Sequence, residues 1–171
     1  APNQSIITGT SLVVADGSQL STVTITILDS NKIPKVGVVP QFTATDSNSS
    51  NNYHACSVSD TSGVSVCTFS STKAEVKILR LTSPFVKKGG SVEFIAGPAD
   101  PAKSTIEGTG PVLADGDDTS EVKITLKDAF ENPVKGIIPT FSATDFEATN
   151  ILSACSTSNA SGISFCTLAS S

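Results

Sequence analysis

The chain has 171 residues, with 11 Lys and Arg against 16 Asp and Glu, and a net charge of -5. A long-range field of that sign repels nucleic acid and anionic membranes, so neither is an expected partner. No apolar run approaches the roughly 20 residues of a membrane-spanning helix, so direct membrane insertion is not expected either. Ala1-Pro2-Asn3 carries neither an initiator Met nor a signal peptide, which reads as an internal or processed piece of something longer.

In chain order the sequence predicts short strands at Ile6 to Thr8, Leu12 to Ala15, Thr22 to Asp29 and Val38 to Asp46. Further strands are expected at Cys56 to Ser59, Val64 to Ser70, Val76 to Leu81 and Val92 to Ala96. The clearest signal is the alternation of Val23, Ile25 and Ile27 with Thr22, Thr24 and Thr26, which marks a strand buried on one face and solvated on the other. Turns are expected at Asp16-Gly17, Ile33-Pro34, the polar run Ser47 to Asn52, Ser62-Gly63 and Gly89-Gly90. Helical spacing is nowhere sustained, so the fold class is all-β, and this many short strands in under a hundred residues fit a two-sheet sandwich.

Past Gly97 the chain begins again. Residues 1–72 lie over residues 100–171 without a gap, and 32 of those 72 positions are identical. Such a period marks a tandem array of modules. Two domains are expected, residues 1–99 and 100–171, with the Pro-bearing stretch 97–103 as a stiff linker and an extended rod as the implied shape. Nothing in the second copy matches Lys73 to Ala99, so the second sandwich is expected to lack its last two strands. Two readings of that remain open: a fragment, or a module completed by strands from a neighbouring chain.

The two copies also filter the candidate sites, because a residue serving a chemistry shared by both modules should recur. His54 faces Ser153 and Tyr53 faces Leu152, and the sequence has no second His, no nucleophile elbow and no phosphate loop. No catalytic constellation and no cofactor site is expected. Asp115, Asp117 and Asp118 could offer oxygen ligands to calcium, but the first copy keeps only Asp16 of that set, and a turn-forming role is the competing reading. The N-x-S matches at Asn3, Asn48 and Asn159 are expected by chance in a Ser-rich chain.

Cys56 with Cys67 and Cys155 with Cys166 are two pairs of identical spacing. With too few close ligands for a metal, disulfides in an oxidising compartment are expected. A hairpin centred between Thr61 and Ser62 would set Cys56 opposite Cys67, within reach of a bridge. The loops Ser47 to His54 and Phe146 to Ser153 differ most between copies. They offer Asn52, Tyr53, His54, Phe146, Ile151 and Leu152 as possible contacts to a receptor or glycan.

Val14-Ala15-Asp16-Gly17, Asn132-Pro133-Val134-Lys135-Gly136 running into Phe141-Ser142-Ala143, Ser62-Gly63-Val64-Ser65-Val66 and Val92 to Gly97, in this order, resemble bacterial group 1 immunoglobulin-like domains. These are the repeated modules of invasin- and intimin-type adhesins. The resemblance implies tandem immunoglobulin-like sandwiches in an extracellular, outer-membrane-anchored parent protein, acting as non-catalytic spacers whose partners are neighbouring modules. It supplies no binding residues. Lys32-Ile33-Pro34-Lys35 departs from the usual Gly-Asn-Pro-Val. Pro40 and Pro139 sit where a β-branched residue is expected, which places that strand at an edge or makes it irregular.

Overall fold

A computed structural model describes all 171 residues, and it contains twelve strands and no helix. By internal contacts the chain divides into two compact units, Ala1–Ile95 and Ala96–Ser171. No helix is long and apolar enough to cross a membrane.

The first unit contains β1 (Ile6–Gly9), β2 (Val13–Val14), β3 (Ser21–Thr26), β4 (Gln41–Ala44), β5 (Asn51–Tyr53), β6 (Val64–Ser71), β7 (Val76–Ser83) and β8 (Lys87–Ile95). They form two four-stranded sheets, in the orders β1-β3-β6-β5 and β2-β8-β7-β4. The alternation read in the sequence sets the faces. Val23 and Ile25 on β3 and Phe69 on β6 point inward from one sheet, and Leu79, Leu81, Val92 and Phe94 point inward from the other. Phe69 and Phe94 meet across the gap with ring centroids 5.2 Å apart, edge to face, which ties the sheets at their centre.

Three features differ from the sequence reading. Gly89-Gly90 is not a turn; it is a bulge inside β8, where the register to β7 shifts between Ile78 and Arg80. Cys56 to Ser59 is not a strand, because Ser57 and Ser65 replace part of the ladder with side-chain bonds: Val66 N–H donates to Ser57 Oγ at 3.0 Å and Ser65 Oγ donates to Ser57 O at 2.6 Å. Asn51–Tyr53, inside or just beyond the polar run read as a turn, is a strand paired with β6. Pro40 immediately precedes β4, an edge strand, which is where a missing N–H is tolerated.

The second unit contains β9 (Thr105–Gly108), β10 (Ser120–Thr125), β11 (Asn150–Leu152) and β12 (Ile163–Ser170), in one sheet of order β11-β12-β10-β9. This sheet matches β1-β3-β6-β5 strand for strand. The segments that would match β2 and β4 are not strands at all. As expected, the second unit has no counterparts of β7 and β8; in the first unit β2 pairs only with β8 and β4 only with β7, so the segments matching β2 and β4 have no ladder partner either and the unit holds a single sheet. The core is correspondingly small, centred on Val122, Ile124, Leu126, Val134 and Cys166.

Residues 97–103, read as a linker, are held on the second unit. Gly97 N–H donates to Asp128 Oδ2 at 2.9 Å and Asp100 N–H to Lys127 O at 2.7 Å. Asp128 is itself a loop organiser, since its Oδ1 accepts the N–H groups of Phe130 and Asn132. Gly63 and Gly162 recur because their residues have φ of +73° and +74° and their carbonyls accept Ile27 N–H and Leu126 N–H, each at 2.8 Å.

Candidate functional site

Both cysteine pairs are bridged: Cys56 to Cys67, with Cα atoms 4.1 Å apart, and Cys155 to Cys166, at 4.3 Å. Ser57 N–H donates to Val66 O and Ser156 N–H to Phe165 O, so each cysteine pair occupies the adjacent, closely spaced cross-strand position. Each bridge fastens a segment that leaves the ladder back onto β6 or β12. No free thiol remains for chemistry or metal binding.

Of the predicted contact residues, Tyr53 is committed to the fold. Its ring stacks on Phe69 at 5.7 Å and meets Phe42 edge to face at 5.4 Å. Its hydroxyl accepts Ala44 N–H at 3.0 Å and the Asn51 side-chain amide at 3.0 Å, and donates to Ala44 O at 3.2 Å. Ala44 lies on the free edge of β4, so Tyr53 satisfies the outward backbone groups there and joins the edges of the two sheets. Leu152 at the matching position has no hydroxyl to do this.

Asn52 and His54 are exposed beside it. His54 lines a shallow groove of about 420 Å³ with Pro40, Gln41, Tyr53 and Thr82. The loop before them is organised by Asp46, whose Oδ1 accepts Ser50 N–H at 2.7 Å and Asn51 N–H at 3.2 Å. Asp145 repeats the arrangement with Thr149 and Asn150. In the second unit Phe146 is 94% exposed, and Ile151 and Leu152 are exposed on β11. No ring or aliphatic cluster covers Phe146, which makes it the most available of the predicted contacts.

Asp115 Oδ1 accepts Asp118 N–H and Asp117 N–H, each at 2.9 Å, and these bonds hold its carboxyl below the usual range. Asp16 does the same with Gln19 N–H and Ser18 N–H at 2.7 and 2.8 Å. The first copy thus builds the identical turn without acids at 18 and 19. Asp115, Asp117 and Asp118 do not converge as a group of three that could hold a metal ion.

Sequence reasoning missed Lys77. Its side chain is fully buried, Nζ donates to Glu75 Oε1 at 2.8 Å and to Thr45 O at 3.3 Å, and it lies over the Phe94 ring. Burial opposes the charge on Glu75, but Lys77 and Ser47 outweigh it and its pKa lies below the ordinary value. The pair pins the loop after β4 to β7. Its parity, inward like Leu79 and Leu81, was the available signal.

Two immunoglobulin-like units, the first a complete sandwich, with neither metal cluster nor free thiol, define a β-sandwich module protein. No protein-family model matches the sequence, and no curated protein does. Solved structures do. The chain is similar to Yersinia pseudotuberculosis InvD at a TM-score of 0.74 and 22% identity, covering 99% of this chain and 50% of that one. It is similar to invasin, described as a bacterial integrin-binding protein, at 0.72 and 21%, covering 99% and 35%. It is also similar to the Escherichia coli adhesin FdeC at 0.66 and 20%, covering 99% and 56%. The chain therefore spans 35% to 56% of the length of these adhesin structures. Its fold is that of the bacterial immunoglobulin-like modules of invasin-type adhesins.

Proposed function

We propose that this chain is a non-catalytic spacer of a bacterial cell-surface adhesin, displayed outside the cell by an outer-membrane-anchored parent protein and joined to neighbouring modules of the same kind. The observation that carries the reading is how the recurrent polar residues are used. Asp16, Asp29, Asp46, the cysteines and their second-copy partners all bind backbone or each other, leaving no shared site. The adhesin-type fold supports it. The test is exchange: in a surface-displayed adhesin carrying this segment, replacement of residues 1–171 by two immunoglobulin-like modules of equal length and unrelated surface leaves adhesion unchanged. Loss of adhesion at equal display sinks the spacer reading.

One observation favours a second reading, that of a receptor- or glycan-binding module: Phe146, Ile151 and Leu152, close in sequence, are all exposed to solvent. If that patch binds, Phe146→Ser and Ile151→Ser abolish adhesion, while the same changes in a spacer do nothing. The single sheet of the second unit, with Ile106 on β9 exposed, favours a third, a fibre subunit completed by strands from a neighbouring chain. Sedimentation of the intact chain decides it, since strand donation requires concentration-dependent oligomers and a spacer does not.

A further inference from the structure

The outer face of the β2-β8-β7-β4 sheet carries an arrangement the fold does not need. Arg80, the sole arginine of the chain, is the direct cross-strand partner of Lys88 on β8, and Thr43 on β4 flanks it on the other side. All three side chains are exposed. Like charges directly opposite one another destabilise a sheet, and neither cation has a carboxylate within ion-pair distance. The carboxylate on this face, Glu93, pairs in register with Val76, four residues along β7 from Arg80.

The bulge creates the pairing. From Phe94 back through Val92, strict alternation would turn Lys88 toward the core; the extra residue at Gly89-Gly90 resets the phase and delivers Lys88 to the outer face. Lys87 is then turned so that its Nζ donates to Pro2 O at 2.6 Å. Around Arg80 and Lys88, the residues Thr43, Ile78 and Val86 shape an open groove of about 550 Å³. Sites for small ligands typically span about 300–1,000 Å³.

Charge is also divided unevenly. Residues 1–95 hold seven Lys and Arg against six Asp and Glu, whereas residues 96–171 hold four against ten, giving +1 and -6. The cationic row thus sits on the unit whose own field does not oppose an anion, while the chain as a whole disfavours a long polyanion.

We propose that Arg80 and Lys88 bind the acidic group, carboxylate or sulfate, of one sugar residue in a glycan. Arg80 offers paired N–H donors to the oxygens, Lys88 the second charge, Thr43 a hydroxyl, and Ile78 and Val86 an apolar floor for a ring face. An extended peptide cannot add as a strand beside Arg80, because β7 is paired with β8 on one side and β4 on the other, and Tyr53 occupies the edge of β4 at Ala44. This surface is separate from the loops considered above, and the proposal stands whether or not the chain is otherwise a spacer.

The test titrates the full chain at low ionic strength with an oligogalacturonate hexamer, a heparin-derived hexasaccharide and a polyglutamate peptide, following binding by calorimetry. Saturable binding of either oligosaccharide is expected, and comparison of the two identifies carboxylate or sulfate. Arg80→Gln and Lys88→Gln should each weaken it by roughly tenfold, about the loss of one charge-assisted contact, while leaving the melting temperature equal or higher because the repulsion is relieved. Absence of saturable binding overturns the proposal, as does binding indifferent to both substitutions. Polyglutamate bound as tightly and with the same sensitivity overturns it in favour of an acidic protein. A lower melting temperature in both variants shows that the pair is structural.

Discussion

Tyr53→Phe isolates the hydroxyl that closes the edge between the two sheets. The ring contacts to Phe69 and Phe42 survive, while Ala44 N–H, Ala44 O and the Asn51 side chain lose their shared partner. A net intramolecular hydrogen bond is worth about 0.5–1.5 kcal/mol. Three such bonds set an upper figure of about 4.5 kcal/mol, but Tyr53 is 37% exposed, so water reaches part of the site and the expected loss is about 1–2 kcal/mol. For a unit of this size that lowers the melting temperature by roughly 5–10 °C. Hydrogen exchange adds a local readout, since the Ala44 amide should exchange faster while amides at the centre of β3 and β6 do not. Leu152→Tyr, the reverse change in the second unit, should give no stabilisation, because the segment that would present Ala143 is not a strand. A Tyr53→Phe protein melting within about 1 °C of the native chain, with Ala44 exchange unaltered, refutes the reasoning.

Gly9→Ala should destabilise the first unit by about 1–3 kcal/mol, because the added Cβ would stand 2.6 Å from Val92 Cγ2, whereas Gly108→Ala meets only Ser120 Oγ at 3.3 Å and should be tolerated in a thermal melt. Glu75→Ala strands the buried Lys77 and should cost about 3 kcal/mol in denaturant unfolding, while Lys77→Met, which removes the buried charge itself, should stay within about 1 kcal/mol of the native chain. Reductant should lower the melting temperature of the native chain but not that of a Cys56→Ala, Cys67→Ala, Cys155→Ala, Cys166→Ala variant; each closed loop is worth about 2–3 kcal/mol. Asp16, Asp29, Asp115 and Glu75 all have pKa values depressed in the folded state, so the folded chain binds fewer protons. Their stabilisation is fully present above the unfolded carboxyl range of about 4 and lost as pH falls through the lower folded values, so acid titration of the melt should show a decline below about pH 4 and a flat region above it.

What the sequence displayed best was periodicity backed by burial. Val23, Ile25 and Ile27 announced β3 because half its residues face a core, and the repeat fixed the hairpin that sets Cys56 against Cys67. What it concealed was side-chain substitution for backbone. The polar residues of Asn51–Tyr53 read as turn formers, yet they pair with β6 because Asp46 tightens the preceding loop and Tyr53 finds an aromatic seat. Gly89-Gly90 had the composition of a reversal and proved to be a bulge, since the strands reverse instead around Pro84 and Phe85. The groove beside Arg80 was invisible for the same reason: only the shifted register puts Lys88 next to it.

The second unit shows how far a sheet depends on its neighbours. Ile106 on β9 is 56% exposed, while Ile7 at the same place in the first copy is 2% exposed. The sequence at the two positions is identical, and so is the pairing of the strand that carries it. The difference lies in β7 and β8, which in the first unit supply both the lid over Ile7 and the ladder partners of β2 and β4. Removing two strands from the middle of such a sheet therefore removes four. Gly108 keeps open the space that Val92 fills beside Gly9, so the surface of β9 retains the shape of a face packed against a branched side chain. A hairpin carrying Lys73 to Ala99 fused behind Ser171 should convert Val112–Leu113 and Thr140–Ala143 into strands and bury Ile106, read as new protected amides in those segments. Fusion that leaves them unprotected would mean that the second copy's sequence, and not its missing neighbours, holds them out of a sheet.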